Sequence, residues 1–265
     1  MQPDNLKRAV RARYAQQATR DAGCGCCCGP EPLGYDPAVL AGVPEEVRNT
    51  SLGCGSPVSA AGLKPGEVVV DLGSGAGLDL FLAARAVTEE GHVVGVDMTP
   101  EMIERAERNA RRLDVRNVSS VLGDIEALPL PDAFADVILS NCVINLLPDK
   151  ARVFREAYRV LRPGGRLVVS DILASAALPQ ELREDPEAWS ACLAGALPVA
   201  EYLRAVREAG FVGVRLTRGL SDGCGEAGCC SAAPVFTATV IAVKPTDRRP
   251  AGARGSQGQP KPTDT

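Results

Sequence analysis

The run from Val68 to Gly77, Val-Val-Val-Asp-Leu-Gly-Ser-Gly-Ala-Gly, constrains the fold more than any other stretch. Three valines, an acid and a leucine read as a strand buried on both faces, the kind found inside parallel sheets. Glycines at 73, 75 and 77 then predict a tight turn, and Leu78 to Val87 is helix-like. Strand, glycine loop and helix in that order form a ligand site. The loop backbone can approach closely, and the helix N-terminus offers N–H groups without intrahelical partners.

Two details narrow the ligand. A dinucleotide fingerprint spaces its glycines G-x-G-x-x-G, but position 78 is Leu and the last glycine arrives one residue early. Asp71, just before the loop, repels a pyrophosphate and suits a cationic or hydroxyl-bearing ligand. About 20 residues past the loop, Asp97 closes a second apolar strand, where an acid reaches ribose hydroxyls. A nucleoside with a positive amino-acid tail satisfies both acids, and S-adenosylmethionine is such a molecule.

The chain then alternates in α/β fashion. Thr99-Pro100 opens a helix to about Leu113, with an N-cap threonine and a proline at the first position. A third strand, Val118 to Leu122, leads to Gly123-Asp124, an acid placed to accept from adenine's exocyclic amine. The fourth strand, Ala135 to Ser140, runs into Asn141-Cys142. Ligands of open α/β sheets sit beyond the carboxyl ends of strands, so Cys142 points to the reacting end of the ligand. A helix over Asp149 to Leu161 and a turn at Arg162 to Arg166 precede a fifth strand, Leu167 to Asp171. From Ile172 the pattern loosens into an insertion bearing Cys192, and Val235 to Val243 alternates as a last strand.

The 265 residues suffice for one core plus appendages. The expected division is 1–62, an N-terminal helix and cysteine-rich loops; 63–173, the nucleoside-binding core; 174–243, an insertion and the end of the sheet; and 244–265, a disordered tail. Within the first segment, Leu6, Val10 and Tyr14 share one face of an amphipathic helix. Net charge is −4 with no basic stripe, which argues against nucleic acid. No apolar run approaches a membrane span and the N-terminus lacks a signal-peptide pattern, so a cytoplasmic location is expected.

Ten cysteines stand out, and in a cytoplasmic chain they are expected reduced, available for thiolate chemistry or a soft ligand. Cys24, Cys26, Cys27 and Cys28 crowd one loop, Cys224, Cys229 and Cys230 another, and Cys54 lies between two glycines ahead of the core. His92, the sole histidine, starts the second strand, away from the ligand edge, which argues against histidine catalysis and Cys/His zinc sites.

These residues resemble a known family at two levels. From Val68 to Arg166 the chain resembles class I S-adenosylmethionine-dependent methyltransferases. A closer resemblance, over roughly Cys24 to Val243, is to the arsenite methyltransferases of bacteria, archaea and algae. It is carried by Ser51-Leu52-Gly53-Cys54-Gly55, the glycine loop, Ser140-Asn141-Cys142-Val143-Ile144-Asn145-Leu146 and Cys192-Leu193-Ala194-Gly195-Ala196-Leu197. The resemblance implies a Rossmann-like α/β fold with a mostly parallel seven-stranded sheet and an antiparallel last strand. It implies S-adenosyl-L-methionine as cofactor, bound by Asp71, Gly73, Ser74, Gly75, Gly77, Asp97, Met98, Asp124, Ile125 and Asn141. It implies that Cys54, Cys142 and Cys192 hold trivalent arsenic for methylation, a detoxification reaction. A fourth cysteine near the N-terminus assists in the family, and Cys24, Cys26, Cys27 and Cys28 all compete for that position. A thiol reductant such as thioredoxin or glutathione is the expected partner, with no nucleic acid or membrane, and a monomer is expected.

The chemistry agrees with the residue types. Arsenic(III) is soft and binds three thiolates in a pyramid, keeping a lone pair at the apex. Cys54 and Cys142 are 88 positions apart and Cys142 and Cys192 are 50 apart, which matches no zinc-finger or ferredoxin spacing. Only a fold could gather them. The lone pair attacks the sulfonium methyl in line and no proton leaves, so no general base is needed and the rate rests on alignment. A methyltransferase acting on a carbon or oxygen acceptor such as a quinone precursor would leave the cysteines without purpose. A non-catalytic thiol-rich metalloid-binding protein would bind arsenite without turnover, and zinc or an iron–sulfur cluster would show in metal analysis.

Overall fold

Among the described residues, seven strands form one sheet in the order β3-β2-β1-β4-β5-β7-β6. They are β1 (Val68–Leu72), β2 (His92–Asp97), β3 (Val118–Leu122), β4 (Ala135–Asn141), β5 (Leu161–Ala174), β6 (Val212–Arg218) and β7 (Val235–Val243). The pairs β1–β2, β1–β4, β2–β3 and β4–β5 are parallel. β7 runs antiparallel to both β5 and β6. This is the expected Rossmann-like sheet with its antiparallel last strand. The computed structural model describes residues 3–19, 34–49, 53–185, 188–189, 192–219 and 234–246. The cysteine tracts at 24–28 and 224–230, and residues 247–265 of the tail expected to be disordered from 244, lie outside the described residues. The start of that tail is ordered instead, because Lys244 N donates to Gly165 O at 2.8 Å and extends the pairing beyond β7.

The apolar runs of the inner strands are buried on both faces, which the crossover helices make possible. On one face Val70, Leu72, Ile138 and Val169 pack with α7 (Lys150–Val160) and with α9 (Val199–Glu208) through Tyr202 and Val206. On the other, Val69, Leu139 and Val168 pack against α4 (Pro57–Ala61) and α5 (Leu78–Val87). α6 (Pro100–Arg112) follows β2 and opens as expected, with Thr99 at the N-cap and proline in the first turn. Chain order reverses beside β1, between β2 and β4, so the crevice at the carboxyl ends of these strands is the topological switch point.

β5 is longer than the strand expected over Leu167 to Asp171. Its pairing with β4 jumps from Ala135↔Leu161 to Val137↔Arg166, so the Arg162–Gly165 turn protrudes from within the strand. At the other end β5 continues to Ala174, because β7 pairs with it down to Ala174↔Val235. The expected insertion therefore begins after Ala174. α1 (Pro3–Ala18) lies across the carboxyl edge of the sheet, with Arg105 Nη1 of α6 donating to Ala18 O at 2.9 Å and Lys7 pairing with Asp124 at 2.6 Å and with Glu126. No helix among the described residues is long and apolar enough to cross a membrane.

Candidate active site

The glycine loop ends β1 and begins α5, and all three of its glycines hold positive φ: 67° at Gly73, 52° at Gly75 and 99° at Gly77. A side chain is strained in that region, and a Cβ at Gly73 would strike Val143. The loop is held by Asp97, whose Oδ2 accepts from Gly75 N at 3.0 Å and whose Oδ1 accepts from Thr99 N at 2.8 Å. Beside it opens a cleft of about 920 Å³, counted with its mouth. The ten residues expected to hold a nucleoside cofactor, from Asp71 to Asn141, all line this cleft. His92 does not; its Nε2 meets Ser119 Oγ at 2.9 Å at the far end of β2.

Three buried carboxylates face the cleft. Asp71 Oδ2 and Ser74 Oγ are buried with no hydrogen-bond partner. Burial, and then Asp79 and Asp97, push the Asp71 carboxyl well above the usual carboxylate range. Burial lifts Asp79 to about 6, opposed by hydrogen bonds from Asn141 and Tyr35. Such a cluster is costly when charged and alone, and an entering cation relieves it. Asp124 is engaged on both oxygens, Oδ2 by Lys7 at 2.6 Å and Oδ1 by Glu126 N at 2.9 Å.

At the inner end of the cleft the three cysteines meet. Cys54 comes from the loop ahead of α4, Cys142 follows β4 directly, and Cys192 comes from the segment between β5 and α9. All three are buried in one cluster with Leu6 and Val10 of α1 and with Leu146. Cys192 Sγ donates to Cys142 O at 2.9 Å. The Cys142 thiol hydrogen-bonds with both Cys192 and Cys54, and the Tyr14 hydroxyl reaches the Cys192 sulfur. None of the three forms a disulfide.

The thiols of Cys142 and Cys192 are held above the ordinary thiol value. The bond from Cys192 lowers Cys142, but the bond to Cys54 and burial outweigh it, so Cys142 stays well above the ordinary thiol value. Cys192 is raised by its bond to Cys142 and then by burial. Asn141 fixes the Cys54 loop against the sheet. Its Oδ1 accepts from Cys54 N at 3.0 Å, and its Nδ2 donates to Gly55 O and Asp79 Oδ2, both at 2.8 Å. A Cβ at Gly53 would collide with the Asn141 side chain, which explains the glycine before the cysteine.

Sequence reasoning did not single out Asp79, Asp171 or the contact of Tyr14 with the thiols. Asp171, on β5, places a carboxylate oxygen, with Cys54 Sγ and Cys142 Sγ, in a group whose atoms all lie within 4.8 Å of one another. Tyr202 OH donates to its Oδ2 at 3.2 Å and Ile172 N to its Oδ1 at 3.0 Å. Burial raises Asp171 to about 7 against the pull of buried Lys150, whose own value burial lowers to about 8. Asp79 had a readable signal, an acid inside the apolar run Leu-Asp-Leu-Phe, and Asp171 is an acid following the apolar run Leu167 to Val169 near the carboxyl edge.

A glycine loop at the switch point of this sheet, flanked by Asp71 and Asp97, defines a class I S-adenosylmethionine-dependent methyltransferase, and residues 63–210 match the family model described as "Methyltransferase domain". The thiol cluster and the relatives together go further: the chain belongs to the arsenite methyltransferase family. It is 44% identical to an arsenite methyltransferase of Halobacterium salinarum, over 81% of this chain and 59% of that protein. It is 36% identical to the arsenite methyltransferase of Homo sapiens, over 80% of this chain and 59% of that protein. The X-ray structure of an arsenic(III) S-adenosylmethionine methyltransferase from Chlamydomonas reinhardtii superposes with a TM-score of 0.69 at 39% identity, covering 78% of this chain and 72% of that one. The chain thus spans about 59% of the length of these two curated relatives.

Proposed function

We propose that this chain moves a methyl group from S-adenosylmethionine to trivalent arsenic bound by Cys54, Cys142 and Cys192. The observation that carries the reading is the meeting of three thiols from three distant segments at the inner end of the cofactor cleft.

The cleft fits the cofactor on its own chemistry. Asp71 Oδ2 and Ser74 Oγ are buried polar atoms waiting for a partner, and the Asp71–Asp79–Asp97 cluster suits a ligand with a positive charge. Asp71 and the glycine loop would hold the amino-acid end, Asp97 the ribose, and Met98, Gly123 and Ile125 the base. When bound, the cofactor supplies a methyl group made electrophilic by its sulfonium.

The chain's own part is binding, orientation and drying. Each thiol exchanges for one hydroxyl of arsenous acid and releases one water, so uptake needs no net proton transfer to solvent. Asn141 holds Cys54 and lies next to Cys142, which sets the arsenic against the cleft. Leu6, Val10 and Leu146 exclude water from the bound metalloid. Alignment, rather than a base, then supplies the rate. A dithiol or glutathione-type reductant returns the arsenic to its trivalent state after transfer.

Incubating the reduced chain with arsenite and methyl-labelled S-adenosylmethionine, followed by mass spectrometry of the arsenic, tests this. Labelled methylarsenicals are expected from the wild type and none from Cys142→Ser or Cys192→Ser, with S-adenosylhomocysteine binding retained in both. A fully active Cys142→Ser chain would overturn the assignment.

A further inference from the structure

Asp171 has 1% of its surface exposed and lies against the sulfurs of Cys54 and Cys142. Three thiolates already complete the valence of arsenic(III), so the carboxylate is not required as a ligand. We propose that Asp171 is a catalytic residue that stabilises the positive charge arsenic acquires as it is methylated. This rests on the arsenite reading above.

The charge balance sets the role. The arsenic lone pair becomes the new As–C bond, and the electron pair of the breaking C–S bond stays with sulfur. The positive charge passes from sulfur to arsenic, which is formally oxidised from trivalent to pentavalent, with no outside oxidant. A neutral tris-thiolate centre thereby becomes cationic. A fixed anion is nearly indifferent to the first state and attracts the second, the differential that accelerates a reaction rather than merely tightening binding.

The surroundings hold Asp171 for this task. Ile172 N and Tyr202 OH donate to its two oxygens, one each, and hydrogen bonds of this kind favour the charged form. Lys150, buried and donating to Leu147 O at 3.0 Å, supplies an opposing charge that favours the carboxylate against the burial that raises it. The apolar wall of Leu6, Val10 and Leu146 removes the water that would otherwise screen a charge forming on arsenic. With Asp71 lining the cofactor cleft and Asp171 beside the thiols, a buried carboxyl group stands at each end of the path along which the charge moves.

Asp171→Asn tests the inference, because asparagine keeps the size and an acceptor for Ile172 N. Two quantities are measured: the single-turnover rate of arsenic methylation, and the affinity for arsenite from the fluorescence of Trp189, the chain's sole tryptophan, whose carbonyl accepts from Cys192 N. The expected result is a rate lower by about a hundredfold at saturating arsenite, with arsenite affinity unchanged to within about twofold. Asp171→Asn leaves Lys150 buried without its counter-charge, so the Asp171→Asn/Lys150→Met chain, which removes both charges, is the second variant and is expected to be as slow. A wild-type rate in either chain, or a deficit that vanishes when arsenite is saturating, would overturn the role. A wild-type chain that binds arsenite and never methylates it would instead overturn the parent reading.

Discussion

Cys142 and Cys192 hold backbone φ of 59° and 62°. A residue with a Cβ is strained there by about 1–2 kcal/mol, and such strain persists only where the surroundings over-determine it. Cys142 N is tied to Ser170 O at 2.8 Å and Cys192 N to Trp189 O at 3.0 Å, so neither backbone can relax without losing a bond. The strain aims two sulfurs at one point. Cys142→Gly should therefore be more stable than Cys142→Ala by about 1 kcal/mol in urea unfolding, although it removes more side chain. The reverse order would show that the left-handed backbone carries no strain. The thiols themselves were legible from residue type and context, but their conformation was not. Nothing local marks a left-handed cysteine, because glycine and asparagine are the residues that announce that region.

Among the elements, the short segments around the sheet edge deliver the site. Gly195 lets the Cys192 segment pass against the 3-10 turn Ile144–Leu146 that follows β4. A Cβ there would run into the Asn145 carbonyl and come within 2.9 Å of the Trp189 ring. Overpacking of this kind costs about 1–3 kcal/mol, and it falls on the loop rather than on the sheet. Gly195→Ala should weaken arsenite binding, followed by Trp189 fluorescence, at least about tenfold, while calorimetry shows S-adenosylhomocysteine binding as in the wild type. Equal loss of both would mean that the substitution disturbs the whole cleft. Elements with a clean period were readable: the valine-rich strands, the Thr99-Pro100 helix start and the apolar face of α1. The partner of that face was not. Leu6 and Val10 bury against Cys142 and Cys192, contacts that span most of the chain and leave no trace in a local window. The true end of β5 was hidden for the same reason, since β7 decides it.

Across the whole molecule, the free chain stores several acids at one edge of the sheet. Burial raises Asp71, Asp79 and Asp97 above their unfolded values, Asp79 to about 6. Between the ordinary aspartate range and that value the native chain binds more protons than the unfolded one. Stability is therefore full at the acidic side of this window and is lost as pH rises through it. The melting temperature of the ligand-free chain should be higher at pH 5.5 than at pH 7.5, and Asp79→Asn should flatten the difference. A melting temperature that rises with pH across this interval would contradict the burial of these carboxylates in ionisable form. The same clustering explains what was legible at this scale. Asp71, the glycine loop and Asp97 sit on consecutive strands of one βαβ unit, so their convergence follows from a pattern within about 30 residues. Asp171 joins the cysteines only through sheet order, and no spacing in the chain foretells it.

Arsenic K-edge X-ray absorption on the chain loaded with one equivalent of arsenite tests the central claim most directly. The account predicts a shell of three sulfurs in the wild type, with one sulfur replaced by oxygen in each of Cys54→Ser, Cys142→Ser and Cys192→Ser. A three-sulfur shell that survives all three substitutions unchanged would contradict it.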